Sequence, residues 1–252
     1  MSELDLHRAL VGLQLLLAVA TILVLTFISA PYGRHQRKGW GPTLPARLAW
    51  VLMESPPVLV FAGVFLTGEH RAMLVPLLLL TCWQVHYVNR MVVYPLRMRS
   101  SGTGMPIWVV LMGVAFNTLN AWINARWVSH LGTYETTWLL DPRFLIGVAV
   151  FAWGMAINLR SDSLLRRLRK PGETGYKIPH GGLYRWVSCP NYLGEIIEWI
   201  GWAIATWSVA GLAFAVYTAA NVGPRALSHH RWYRERFEDY PEERKALIPF
   251  VL

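Results

Sequence analysis

The chain has 252 residues, 54% of them apolar and only 15% charged, with a net charge of +9 and a mean hydropathy of +0.32. Soluble domains carry about a quarter charged residues, so a soluble globular core is excluded. The positive charge does not point to nucleic acid, because the cytoplasmic loops of membrane proteins are ordinarily basic.

The apolar residues fall in runs of roughly 17–25, long enough to cross a hydrocarbon core of about 30 Å. Seven spans are expected, at roughly 9–30, 46–66, 73–96, 106–126, 143–160, 190–207 and 210–224. The first follows Glu3 and Asp5 rather than a basic leader, and Pro31 stands where a signal cleavage would come, so it reads as a retained helix. The last two are joined near Ser208 to Gly211, which predicts a tight helical hairpin. Cys82 and Cys189 are too distant in sequence and setting for a disulfide framework or a zinc site, and no metal is expected. With no internal repeat and no long linker, residues 1–252 are expected to form one all-α integral membrane domain, a seven-transmembrane-helix bundle.

Alternate loops hold most of the 24 Lys and Arg residues. They include Arg34, Arg37, Lys38 and Arg47, then Arg97 and Arg99, then the run from Arg160 to Arg185, and finally the C-terminal tail. The positive-inside rule therefore puts the N-terminus outside and the C-terminus in the cytoplasm, which requires an odd number of spans.

Ionisable residues inside a span are costly and mark candidate sites. Glu54 precedes Pro56 and Pro57 in the second span. Pro56 should free the Leu52 carbonyl, and the resulting kink suits a cavity wall, although a structural Glu–Arg pair would explain the residue as well. In the third span Tyr87, Arg90 and Tyr94 share one face with His86 beside it. Arg90 needs an anion or a cavity, with Glu54 a candidate partner; an interhelical polar network is the plainer reading. Asn117, Asn120 and Asn124 repeat the same spacing in the fourth span, and Asn124 is expected to do no more than bond a neighbouring helix. Asn158 and Asp162 lie one helical turn apart, with Arg166 and Arg169 continuing that side. Asn191, Glu195 and Glu198 form a polar stripe entering the sixth span. The basic tail with His229, His230 and Tyr233 suits a phosphate group or anionic lipid headgroups. No dinucleotide fingerprint or P-loop is present, so any nucleotide would be held by the bundle and its loops.

The blocks YGRH, LPARLAWVLMESP, HYVNRMVVY, GMAINLRSDSLLRRLRKPGETGYKIPHGGLYRWVS, NYLGEIIEWIGWAIATWS and HHRWYRERFEDYPEERKALIPFVL resemble the steroid 5α-reductase (3-oxo-5α-steroid 4-dehydrogenase) family, its type 2 branch especially. The resemblance covers most of the chain. It implies a seven-helix fold with an internal cavity that receives NADPH from the cytoplasm and a steroid from the bilayer. It implies that Glu54 and Tyr87 hold the steroid C3 oxygen, with Trp199, Arg90 and Phe116 around the substrate. It places Asn158, Asp162, Arg169, Tyr176, Lys177, Asn191, Glu195, Arg225, His229 and Tyr233 at the cofactor. Met53, Asn89 and Lys177 depart from the family pattern, as does the stretch 96–105. The implied protein is a monomer bound to membrane lipids in a bacterial inner membrane or the endoplasmic reticulum, with no nucleic-acid partner. It reduces the Δ4 bond of 3-oxo-Δ4-steroids by adding hydride at C5 and a proton at C4. The alternatives are a polyprenol or enoyl-thioester reductase on the same scaffold, or a non-catalytic sterol-binding or transport protein.

Overall fold

A computed structural model describes residues 1–98, 104–168, 173 and 175–252. Helix α1 spans Glu3–Phe27, and its start is set by a reciprocal capping box between Ser2 and Asp5. Helix α2 spans Ala46–Leu66. The third segment is one interrupted rod: α3 (Leu74–Val88), a π-helical turn (Asn89–Val93) and α4 (Tyr94–Arg97). Helix α5 (Ile107–Arg126) ends in a second π turn, Trp127–Leu131. Then follow α6 (Pro142–Arg167), α7 (Pro190–Thr206) and α8 (Val209–Arg236). A two-residue strand pair, β1 (Thr43–Leu44) antiparallel to β2 (Met105–Pro106), ties the starts of α2 and α5 together.

Each of the seven expected runs is helical. Among the described residues, four helices are long and apolar enough to cross a membrane: α1, α2, α5 with its π turn, and α6. The others fall short for visible reasons. Helix α3 yields to the π turn after 15 residues, α7 has 17 residues, and α8 is polar along its second half. Large apolar side chains such as Leu16, Leu59 and Leu212 face outward. The interior is aromatic, with Phe61, Trp83, Tyr87, Trp199, Trp202 and Phe214 in one cluster.

Several boundaries differ from expectation: α1 begins at Glu3, α6 runs on to Arg167, and two further differences shape the site. The last helix does not stop at 224 but accommodates Pro224 and runs to Arg236, so His229, His230 and Tyr233 sit on a helix and not in a tail. The third run is broken where Pro95 lacks an N–H; the Tyr94 N–H instead reaches back five residues to the Asn89 carbonyl. The hairpin between α7 and α8 is as tight as expected. Trp207 adopts a left-handed backbone (φ 43°), and the Ser208 side chain caps α8 by accepting from the Gly211 N–H.

The prolines of α2 free two carbonyls, and both find new donors. The Ser55 hydroxyl donates to the Leu52 carbonyl at 3.0 Å, and the Asn117 amide of α5 donates to the Met53 carbonyl at 2.6 Å. Replacing Asn117 with Leu orphans that carbonyl and is expected to cost about 1–3 kcal/mol, read as a lower unfolding temperature in detergent. Asn124 takes the interhelical role expected of it, accepting from Trp202 Nε1 at 2.9 Å and donating to Asn120.

Packing is pairwise: α6 on α7, α2 on α5, α1 on α8, and α7 on α8. The α6–α7 seam is built from glycines spaced seven apart on each helix, Gly147 and Gly154 facing Gly194 and Gly201. A Cβ on Gly154 would fall on the Glu198 backbone nitrogen, and one on Gly201 would fall on the Phe151 backbone nitrogen. At one end of the bundle, Glu3 pairs with Arg126, and His7 Nε2 lies 3.0 Å from the Ile123 carbonyl. At the other end the segment after α1 meets the end of α8, where Ser29 contacts Ser228 and His35 contacts His229.

Candidate active site

These helices surround a cavity of about 750 Å³, lined by α1 and the segment after it, and by residues of α2, α3, α5, α6, α7 and α8. Its inner wall carries the polar groups that looked anomalous in the apolar runs. Arg90, on the π turn, lies with Nε 3.7 Å from Glu54 Oε1 on α2 and Nη1 3.7 Å from Asp162 Oδ2 on α6. Its guanidinium also stacks on Trp50 and Tyr94, 4.6 and 4.7 Å from the ring centroids. The π turn thus delivers one cation to two carboxylates on different helices, and Glu54 is the partner that the sequence suggested.

Tyr87 lines the same wall and is only 4% exposed. Its ring is held by Trp83 at 4.9 Å, His86 at 4.8 Å and Trp199 at 5.6 Å. Trp199 stands behind this layer, buried against Phe214, and does not line the cavity. Phe116 lines it and stacks face to face on Tyr217 with centroids 3.6 Å apart.

Beyond Arg90, Asn158 donates to the Asn191 carbonyl at 3.0 Å, and the Asn191 side chain donates to Asp162 at 3.2 Å. Glu195, one turn along α7 from Asn191, is also on the wall, as are Arg166 and Tyr176. At the end near α8, Arg225 donates to the Tyr192 hydroxyl at 2.9 Å, and that hydroxyl is 3.1 Å from His229 Nε2. The other nitrogen of His229 is 3.3 Å from His35, and the two imidazoles stack.

Arg34 and His35 are the residues that the site analysis by sequence left out. The Arg34 guanidinium sits 4.7–4.8 Å from the rings of Tyr176, Trp232 and Tyr233, and its Nη1 is buried without a hydrogen-bond partner. Only tertiary folding reveals this cage, because its aromatic members lie some 140–200 positions after Arg34. Tyr233 is buried behind Arg34, with its hydroxyl 3.5 Å from Nη2, rather than on the cavity wall. Lys177 is turned to Glu173, at 2.6 Å, and is not among the lining residues. Arg169 and residues 99–103 of the stretch 96–105 lie outside the described residues.

Burial, together with the charges of Arg34, Arg225 and Arg37, holds the His35 imidazole below its ordinary pKa. A His depressed in the folded state is protonated first in the unfolded chain, so it takes stability away as pH falls below about 6.5. Between pH 7 and 5 the protein should therefore lose more of its unfolding temperature than a His35→Gln variant does.

A family model described as 3-oxo-5-alpha-steroid 4-dehydrogenase matches residues 103–252. The chain is 48% identical to steroid 5-alpha-reductase DET2 of Gossypium hirsutum, over 97% of this chain and 96% of the relative. It is 47% identical to the protein of the same name from Arabidopsis thaliana, over 92% and 91%. With 3-oxo-5-alpha-steroid 4-dehydrogenase 1 of Bos taurus it shares 44% identity over 100% and 99%.

Proposed function

We propose a mechanism from the premise that this chain belongs to the 3-oxo-5-alpha-steroid 4-dehydrogenase family. It is a multi-pass membrane oxidoreductase, and its reaction is reduction of the Δ4 double bond of a 3-oxo-Δ4-steroid to the 5α-3-oxo product. The observation that carries the mechanism is the meeting of Glu54, Tyr87 and Arg90 on one cavity wall, drawn from α2 and the interrupted third rod.

Negative charge develops on the C3 oxygen when C5 is reduced. Donors fixed in a water-poor cavity stabilise that charge strongly. Tyr87 donates a hydrogen bond to this oxygen, and Glu54 either donates to it as the neutral acid or orients Tyr87. Arg90 holds Glu54 in place and keeps α2, the third rod and α6 in register. Phe116 and the apolar wall exclude water, with Trp199 buttressing Tyr87 from behind.

The reductant in this reading is NADPH, which when bound supplies a hydride. The donor set fits such a group. Arg34 has a buried donor with nothing to bond, and Arg225, His35 and His229 stand near it. Arg residues suit the bidentate contacts of phosphate groups. Asn158, Asp162, Asn191 and Glu195 would hold the remaining polar atoms, nearer the Glu54–Tyr87 wall, and Tyr176 would contribute beside Arg34. Tyr233 supports Arg34.

We also propose that residues 1–252 are one domain that crosses the bilayer seven times as a monomer, with the N-terminus outside and the C-terminus cytoplasmic. The loop charge supports this orientation. A C-terminal green fluorescent protein fusion in bacteria should fluoresce, and a C-terminal alkaline phosphatase fusion should be inactive; the reverse pattern would overturn the orientation.

The direct test of function is incubation of the purified protein with NADPH and testosterone or progesterone. The 5α-reduced steroid is expected as product. Reduction of a polyprenol or an enoyl thioester but of no steroid would overturn the substrate assignment. Steroid binding without turnover would mark a carrier.

A further inference from the structure

One buried ionisable pair has no part in the reaction described above. Glu198 of α7 is fully buried, and its Oε1 lies 2.8 Å from Nδ1 of His86 on α3, which is itself 5% exposed. The second carboxyl oxygen, Oε2, is buried and has no hydrogen-bond partner among the described residues. Such a group is costly at membrane depth, where a Leu would pack without penalty.

The surroundings of the pair suggest what it does. His86 lines the cavity directly beside Tyr87. The imidazole meets the Tyr87 ring edge-on at 4.8 Å and the Trp199 ring edge-on at 4.7 Å. Trp199 follows Glu198 in the chain and packs against the Tyr87 ring at 5.6 Å, so His86, Tyr87 and Trp199 form one mutually touching triad of rings. A single hydrogen bond therefore joins α3 to α7 at the level where Trp199 of α7 meets the phenol ring of α3. The Glu198 backbone cannot drift, because it lies against Gly154 of α6, where there is no room for a Cβ.

We propose that Glu198 is a positioning residue, acting through His86 and Trp199 to aim the Tyr87 hydroxyl at the substrate oxygen. The inference rests on the role given to Tyr87. A donor must be held to within about 0.5 Å to be effective, and a misplacement of about 1 Å can cost about 100-fold in rate. Glu198 supplies that hold from a helix that carries no proposed donor to the C3 oxygen.

The test is a double-mutant cycle on kcat, with NADPH and a Δ4-3-ketosteroid, using Glu198→Ala, Tyr87→Phe and the two combined. Glu198→Ala should lower kcat about 10- to 100-fold with KM changed less than about 3-fold. In the Tyr87→Phe background the same change should add less than about 3-fold, because there is no hydroxyl left to aim. Glu198→Gln, whose amide oxygen still accepts from Nδ1–H, should restore most of the rate. His86→Phe keeps the ring packing, loses the hydrogen bond and should repeat the Glu198→Ala pattern, so the cycle survives if Glu198→Ala does not fold. A loss that multiplies in full in both backgrounds, or a Gln variant as slow as Ala, would overturn the proposal. Full turnover by Tyr87→Phe would sink the role of Tyr87 and this inference with it. A wild-type rate for Glu198→Ala beside a crippled Tyr87→Phe would sink the inference alone.

Discussion

Replacing Tyr87 with Phe is expected to lower turnover of a Δ4-3-ketosteroid by about 10²- to 10³-fold, with little change in the substrate KM. That is the loss associated with removing one preorganised donor to a developing oxyanion. The change deletes one oxygen and leaves the ring among Trp83, His86 and Trp199, so the fold should be intact. Glu54→Gln should be similarly severe. The amide keeps the shape but offers neither an acid O–H to the C3 oxygen nor a carboxylate to face Arg90, which stands 3.7 Å away. If both variants turn over at the wild-type rate, the catalytic assignment is wrong. Matched unfolding temperatures would separate a chemical loss from a structural one.

Gly154→Leu and Gly201→Leu should each yield almost no folded protein. The α6–α7 seam brings backbone against backbone, and the first atom of any side chain at these positions would overlap a backbone nitrogen of the partner helix. Overpacking a core usually costs about 1–3 kcal/mol by shifting side chains. Here no side chain can move aside, so the helices must separate, and the cost exceeds that range. Small residues that allow close approach are a main source of helix association where the solvent is lipid. The separation would also move Asn158 away from Asn191, dissolving one side of the cavity. Gly223→Ala on α8, where a Cβ would meet nothing within 4 Å, is the matched control and should fold normally. Comparable yields for all three variants would rule out the seam as a determinant of stability.

The positions readable in advance were those where chemistry and surroundings conflict. A charge in an apolar run demands a partner, so Glu54, Arg90, Asp162 and Glu195 stood out one by one. The proline pair announced freed carbonyls for the same local reason, and Ser55 and Asn117 now supply the donors. The roles of Glu54 and Tyr87 in the reaction came from family resemblance, since periodicity alone left a plain polar network equally open. Lys177 and Tyr233 were placed at the cofactor by resemblance alone, and their neighbours, Glu173 for one and Arg34 for the other, could not be read from the sequence.

By itself the sequence determined the membrane class, the apolar runs that become helices, the charge asymmetry and the family, because each depends on composition or on runs of adjacent residues. The tertiary structure alone decided which residues meet. The Arg34 cage, the His35–His229 stack, the His86–Glu198 pair and the glycine seam all join distant segments whose facing depends on helix rotation and register. Those are set by close packing across the whole bundle, to which hydropathy is blind. The π turn that carries Arg90 to both Glu54 and Asp162 belongs with them, since one extra residue in a turn redirects a side chain without altering the hydrophobic pattern.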